Sequence, residues 1–128
     1  NMKNKEIKNI CPTTTSKRVK EGAIVVDVRE KEEINELSYD VNNLLEIPLS
    51  EFEDRYIEIP NDKSLIMACR SGGRSLKAAY FLQNKGYNDV VNLDGGILKW
   101  AEKKFPVKGN MPAANDSTGD CCSSSNCC

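Results

Sequence analysis

Residues 64–82 constrain the fold more than any other stretch of this chain. They read Ser64-Leu-Ile-Met-Ala-Cys69, then Arg70-Ser-Gly-Gly-Arg-Ser75, then Leu76-Lys-Ala-Ala-Tyr-Phe-Leu82. An apolar run, a cysteine, a turn of small residues and a helix-period pattern follow one another without a gap. Gly72 and Gly73 open backbone angles that let several N–H groups converge. A strand that turns this tightly into a helix leaves Cys69 at the strand's carboxyl end, facing the helix's amino end. Free N–H groups and the helix dipole at that point stabilise an anion, including a thiolate and whatever anion is attached to it.

The same alternation runs through the rest of the chain. Gly22–Val28 is rich in β-branched residues and reads as a buried parallel strand. A short Glu/Lys-rich helix is expected between Arg29 and Leu37, then a strand over 41–47 closed by Pro48. Ser50 to Ile57 reads as a helix capped by Ser50, with Phe52, Tyr56 and Ile59 on its apolar side. Arg74 to Asn84 is the strongest helix and Gly86 ends it. Asp89 to Leu93 is a further strand, and Asp94-Gly-Gly turns into a helix over Ile97 to Lys104 that carries Trp100, a core residue by this reading. Ile7 to Ile10 is expected as an edge strand and Thr14 to Lys20 as a short helix. Strands that alternate with helices predict an α/β fold, a mostly parallel sheet of about five strands covered on both faces.

A chain of 128 residues suggests one domain. Charged residues make up 29%, yet the net charge is −1, so no global field draws the chain to nucleic acid or to an anionic membrane. Histidine is absent, which excludes histidine acid–base catalysis, histidine metal ligation and Cys-His dyads within one chain. The opening residues contain no apolar stretch, so neither a secretion signal nor an anchor is expected there, and no apolar run is long enough to span a bilayer. A cytoplasmic location follows as the expectation, and with it reduced thiols. The six cysteines then point to chemistry, metal binding or packing before a disulfide framework.

A buried cysteine often serves only as a small hydrophobe. The Arg70-Ser71-Gly72-Gly73-Arg74-Ser75 sequence that follows Cys69 instead suits an anion cradle, with two arginines to favour the thiolate. Chemistry follows from that placement: the thiolate attacks the outer sulfur of a donor, and the same amides hold the persulfide until a nucleophile removes the terminal sulfur. A cysteine phosphatase also sets a thiolate in a loop of amides, but its Cys-x5-Arg pattern needs arginine at position 75, where this chain has serine. A loop one residue shorter makes a narrower cradle than phosphate needs.

These residues resemble the rhodanese family of sulfurtransferases. Four separated stretches carry the resemblance: Val26-Asp-Val-Arg-Glu30; Ile47-Pro-Leu49; Cys69-Arg-Ser-Gly-Gly-Arg-Ser75; and Leu93-Asp-Gly-Gly-Ile97 with Trp100 and Pro106. Together they span most of residues 5–107. The resemblance implies a rhodanese-like α/β domain over 5–107. It also implies sulfane-sulfur transfer through a persulfide on Cys69, with Arg70, Ser71, Gly72, Gly73, Arg74 and Ser75 around it. A small sulfur donor such as thiosulfate and a thiol, cyanide or protein acceptor are the implied partners; no cofactor and no metal at the site are implied. The family's usual His-Ile-x-Gly-Ala stretch is absent here, where Leu37 to Ile47 reads Leu-Ser-Tyr-Asp-Val-Asn-Asn-Leu-Leu-Glu-Ile. The loop near the site is therefore expected to differ in shape. A carrier of sulfur or of a soft metal, with little turnover of its own, is the alternative function.

Supporting positions keep two readings each. Asp27 and Arg29 sit at a strand end, either as a structural ion pair or with Arg29 binding the substrate anion. Arg74 points either at the sulfur or at an acidic neighbour such as Glu30. Gly95-Gly96 reads as a tight turn beside the site. Cys11 has no partner pattern and reads as half-buried and inert. From position 108 onward the composition is that of a tail. Its Cys121, Cys122, Cys127 and Cys128 allow soft-metal binding, sulfur relay, oxidation to disulfides, or no role.

Overall fold

The computed structural model describes residues 6–109. Five strands form one parallel sheet: β1 (Asn9–Ile10), β2 (Ile24–Asp27), β4 (Leu44–Glu46), β5 (Leu65–Ala68) and β6 (Val90–Leu93). Their spatial order is β1-β6-β5-β2-β4, which puts β5, the strand that leads to Cys69, at the centre. Register places Val26 beside Met67 and Asp27 beside Ala68, and Ile66 beside Val91. The strands therefore end nearly level, and their carboxyl-terminal loops share one edge.

Side chains alternate across this sheet. Val26, Leu65, Met67 and Cys69 meet Ala78, Ala79 and Leu82 of helix α4 (Gly73–Asn84) and Phe52 of α3 (Phe52–Arg55) on one face. Val25, Ile66, Ala68, Val91 and Leu93 meet Ile97 and Trp100 of α5 (Gly96–Glu102) on the other, with Val19 of α1 (Pro12–Lys20) packed at its margin. Burial on both faces is why β2 and β5 read as continuous apolar runs rather than alternating ones. The α/β class, the central parallel sheet and its helices match the expectation from the sequence.

Helix ends follow local chemistry. Helix α2 (Lys31–Glu36) starts with a reciprocal capping box between Glu30 and Glu33. Helix α4 closes with Tyr87 N–H donating to Leu82 O and Gly86 N–H to Gln83 O, a Schellman turn that uses Gly86 at φ 98°. Trp100 is buried at 1% exposure, donates to Pro106 O at 2.8 Å, and packs edge-on against Tyr39.

Two expectations need correction. The segment expected as one helix from Ser50 is a 3-10 turn (Leu49–Glu51), the short α3 and a second 3-10 turn (Tyr56–Glu58). Ser50 does not cap it. Its hydroxyl donates to Glu30 at 2.9 Å, drawing the residue toward α2 instead. A second, two-stranded antiparallel sheet was not foreseen: β3 (Leu37–Tyr39) pairs with β7 (Val107–Gly109). β7 runs across the expected boundary between residues 107 and 108. The tail cysteines from 121 onward lie outside the described residues. Among the described residues, no helix is long and apolar enough to cross a membrane.

Candidate active site

β5 ends one residue before Cys69, and the chain needs three more to enter α4. Gly72 makes the turn at φ 108°, a region L side chains rarely occupy. That angle redirects the chain into α4 while the Gly72 N–H donates to the Cys69 Sγ at 3.1 Å. Ser75, in the first turn of α4, donates its N–H to the same sulfur at 3.3 Å. The amino end of α4 carries no acidic residue to compete for these donors. Cys69 is 1% exposed and is a free thiol.

Burial pushes the Cys69 thiol up. Hydrogen bonds from the Ser75 side chain and from the N–H groups of Ser75, Gly72 and Ser71 act the other way and outweigh it, so the thiol ionises below the ordinary cysteine value. The Ser75 hydroxyl has only one proton, and it sits 2.5 Å from Asn92 Oδ1. Asn92 Oδ1 competes with the sulfur for that proton, so the main-chain amides are the more dependable donors to sulfur.

The loop's carbonyls are held on its far side. Cys69 O accepts from the Tyr39 hydroxyl at 3.1 Å and from Ile97 N–H at 2.9 Å. Arg70 O accepts from Leu98 N–H at 3.2 Å. Gly96 makes this approach of α5 possible, because a Cβ there would overlap the Cys69 and Arg70 carbonyls. The Gly95-Gly96 turn is thus packed against the back of the cysteine loop. With carbonyls turned outward, the inner surface that meets the sulfur is made of N–H groups.

The sequence-predicted residues divide by position. Cys69, Gly72 and Ser75 meet at the sulfur. Arg70, Ser71 and Gly73 are exposed around the rim, and Arg70 makes no ion pair among the described residues. Arg74 faces Glu33 and not Glu30: its two terminal nitrogens donate to the two carboxylate oxygens of Glu33, each at 2.8 Å. Glu30 is occupied by Ser50, whereas Glu33 lies in the first turn of α2, opposite α4. The Arg74 guanidinium holds the Glu33 carboxyl down to about 2. Asp27 and Arg29 are both buried and form an ion pair at 2.9 Å. The remaining Arg29 donors reach Leu37 O at 2.7 Å and Glu33 O at 3.4 Å. That arrangement is the structural alternative: the bonds Arg29 makes run to Asp27, Leu37 O and Glu33 O. The same guanidinium lies 5.8 Å from the centre of the Tyr39 ring, so the pair supports the residue that holds Cys69 O.

Two participants were not foreseen. Tyr39 comes from the stretch that lacks the family's His-Ile-x-Gly pattern, and no local signal marked it. Asn92 had a signal: it is the one polar residue in Val90-Val-Asn-Leu93, and a carboxamide in a buried strand must find partners. Cys11 is half-buried, precedes α1, and lies 3.4 Å from the Thr14 hydroxyl. No cluster of three or more potential metal ligands occurs among the described residues.

A parallel α/β sheet whose central strand delivers a buried thiol to a ring of amides at a helix start defines a class of cysteine-loop domains. Comparison with known proteins gives the class a family: the rhodanese-like domain matches residues 12–103, and the chain belongs to that family. A sulfurtransferase of Allochromatium vinosum is 37% identical over 87 residues, covering 68% of this chain and 79% of that protein. A tRNA uridine(34) hydroxylase of Erwinia tasmaniensis is 33% identical over 99 residues, but the chain spans only 27% of its length. The crystal structure of a rhodanese-related protein from Thermoplasma volcanium superposes with a TM-score of 0.71 at 31% identity, covering 79% of this chain and 97% of that one.

Proposed function

We propose that this chain is a sulfurtransferase that carries sulfane sulfur as a persulfide on Cys69. The observation that carries the reading is the convergence of the Gly72 and Ser75 N–H groups on one buried, acidified thiol at the start of α4. Relatives named as sulfurtransferases support it.

The steps follow from the geometry. The Cys69 thiolate attacks the outer sulfur of thiosulfate or of a related sulfane donor. A new S–S bond forms, the donor's own bond to that sulfur breaks, and sulfite or the corresponding thiolate leaves with the electron pair. The Cys69 persulfide keeps its negative charge at the outer sulfur, within reach of the loop amides Arg70 to Ser75. Arg70, exposed at the rim and without an ion pair among the described residues, meets an anionic donor first. A thiol, cyanide or an acceptor protein's thiolate then attacks the outer sulfur, and Cys69 departs as a thiolate that the amides already stabilise. Asp27 and Arg29 support the loop from behind through Tyr39.

One observation favours a carrier with slow turnover. Arg74 is committed to Glu33, which leaves Arg70 as the cation of the loop that makes no ion pair among the described residues and is open to a small anionic donor. Intact-protein mass spectrometry after thiosulfate or polysulfide treatment tests both readings. The parent gains the mass of one sulfur atom and Cys69→Ser gains none at that position. Equal loading in the two proteins removes Cys69 from the mechanism. Rapid turnover with thiosulfate and cyanide decides for the enzyme, and loading without turnover for the carrier.

A further inference from the structure

Asn92 sits in β6 with 2% of its surface exposed, between Val91 and Leu93. A carboxamide buried among aliphatic side chains is costly unless each polar atom is paired. Here each one is. Oδ1 accepts from the Ser75 hydroxyl at 2.5 Å, and Nδ2 donates to Gly72 O at 3.1 Å and to Asn9 Oδ1 at 2.8 Å. A main-chain carbonyl can only accept, so the Gly72 contact settles which end of the carboxamide is nitrogen.

The two loop residues gripped by Asn92, Gly72 and Ser75, both aim an N–H at the Cys69 sulfur, at 3.1 and 3.3 Å. In Gly72 the carbonyl is drawn toward Asn92 while the N–H faces sulfur. In Ser75 the hydroxyl is drawn the same way while the N–H faces sulfur. A glycine at this turn has the freedom to rotate its peptide groups, and a carbonyl turned inward would repel a thiolate. We propose that Asn92 is a positioning residue for the sulfur cradle, locking Gly72 and Ser75 so that both amides point at Cys69. It never touches the sulfur. The inference rests on reading Cys69 as the reactive thiolate, and it holds for carrier and enzyme alike. Arg74 and Tyr39 also sense the charge on Cys69, and a change at position 92 leaves both in place.

The test is an ultraviolet titration of the Cys69 thiolate, each protein measured against its own Cys69→Ser background to subtract the other cysteines. Asn92→Leu keeps the volume and removes every hydrogen bond; Asn92→Ala truncates the side chain and covers the case in which leucine prevents folding. The expected result is a midpoint raised by about one unit, a roughly tenfold loss of thiolate at a fixed pH below the midpoint. Val91→Ala, on the opposite face of the same strand, should lower the melting temperature without moving the midpoint. A folded Asn92 variant that titrates with the parent overturns the proposal, and so does a Val91→Ala shift as large as that of the Asn92 variants. If the parent thiol is acidic but takes no sulfur, the transfer reading fails and this one stands. If sulfur loads and the Asn92 variants titrate normally, this one fails alone.

Discussion

Replacing Gly96 by alanine should cost about 3 kcal/mol of stability, from effects that can be summed on the structure. Gly96 has φ 57°, and a left-handed angle costs a non-glycine residue roughly 1–2 kcal/mol. Its added Cβ would overlap the carbonyls of Cys69 and Arg70, which are main chain and cannot swing aside. Helix α5 must then back away from the cysteine loop. Doing so loosens the bonds from Ile97 N–H to Cys69 O at 2.9 Å and from Leu98 N–H to Arg70 O at 3.2 Å. Each bond contributes about 1 kcal/mol. Alanine's stiffer unfolded chain returns roughly 0.4–1 kcal/mol. In a domain near this size a 3 kcal/mol loss lowers the melting temperature by roughly 12–24 °C. Urea denaturation measures the free energy, and the Cys69 titration should rise in parallel as the loop carbonyls come free. Gly73→Ala is the internal contrast: nothing lies within 4 Å of a Cβ built there, and its φ is an ordinary one. That variant should be neutral or gain up to about 1 kcal/mol. A Gly96→Ala protein within about 1 kcal/mol of the parent would refute the close-approach argument.

The other perturbations probe the supports behind the loop. Asp27→Ala leaves the buried Arg29 guanidinium without its counter-charge and should cost about 3–5 kcal/mol in urea denaturation, so a loss below about 1 kcal/mol would count against the pair as a structural anchor. Tyr39→Phe removes one of two donors to Cys69 O and should cost about 1 kcal/mol, read as a small fall in melting temperature with a slight upward drift of the thiol. Glu33 titrates at about 2 against an ordinary 4.5, so its pairing with Arg74 favours the fold above pH 4.5, and that advantage disappears as the pH falls through 2. Because both side chains are about one-third exposed, the parent should exceed Glu33→Gln by only about 1 kcal/mol at neutral pH. The difference should close in acid, and a gap that persists at pH 2 would contradict the assignment.

What could be read from the sequence and what could not have a common physical cause. Cys69, the glycines of its turn and the start of α4 lie within one unbroken segment, where a strand's apolar run and a helix's period announce themselves within a few residues of each other. That is enough to say which atom is placed to react and which amides are near it. The groups that aim those amides come from elsewhere in the chain. Tyr39 reaches the loop because β3 pairs with β7, and two strands of three residues each are too short to show a period; only their distant pairing makes them strands. Asn92 reaches it because β6 lies beside β5, a neighbourhood set by sheet order rather than by local pattern. Ser50 departs from its expected capping role for a related reason: Glu30, on the far side of β4 in the chain, offers its hydroxyl a better partner than the short helix does. A motif thus locates the candidate thiol but does not set its acidity. Acidity depends on which way a few peptide groups face, and here that is decided from behind, by Tyr39, Ile97 and Leu98 on one face of the sheet and by Asn92 on the other. Two chains with the same cysteine loop can therefore differ in thiol reactivity through residues far outside it, with positions 39 and 92 the first places to look for the difference.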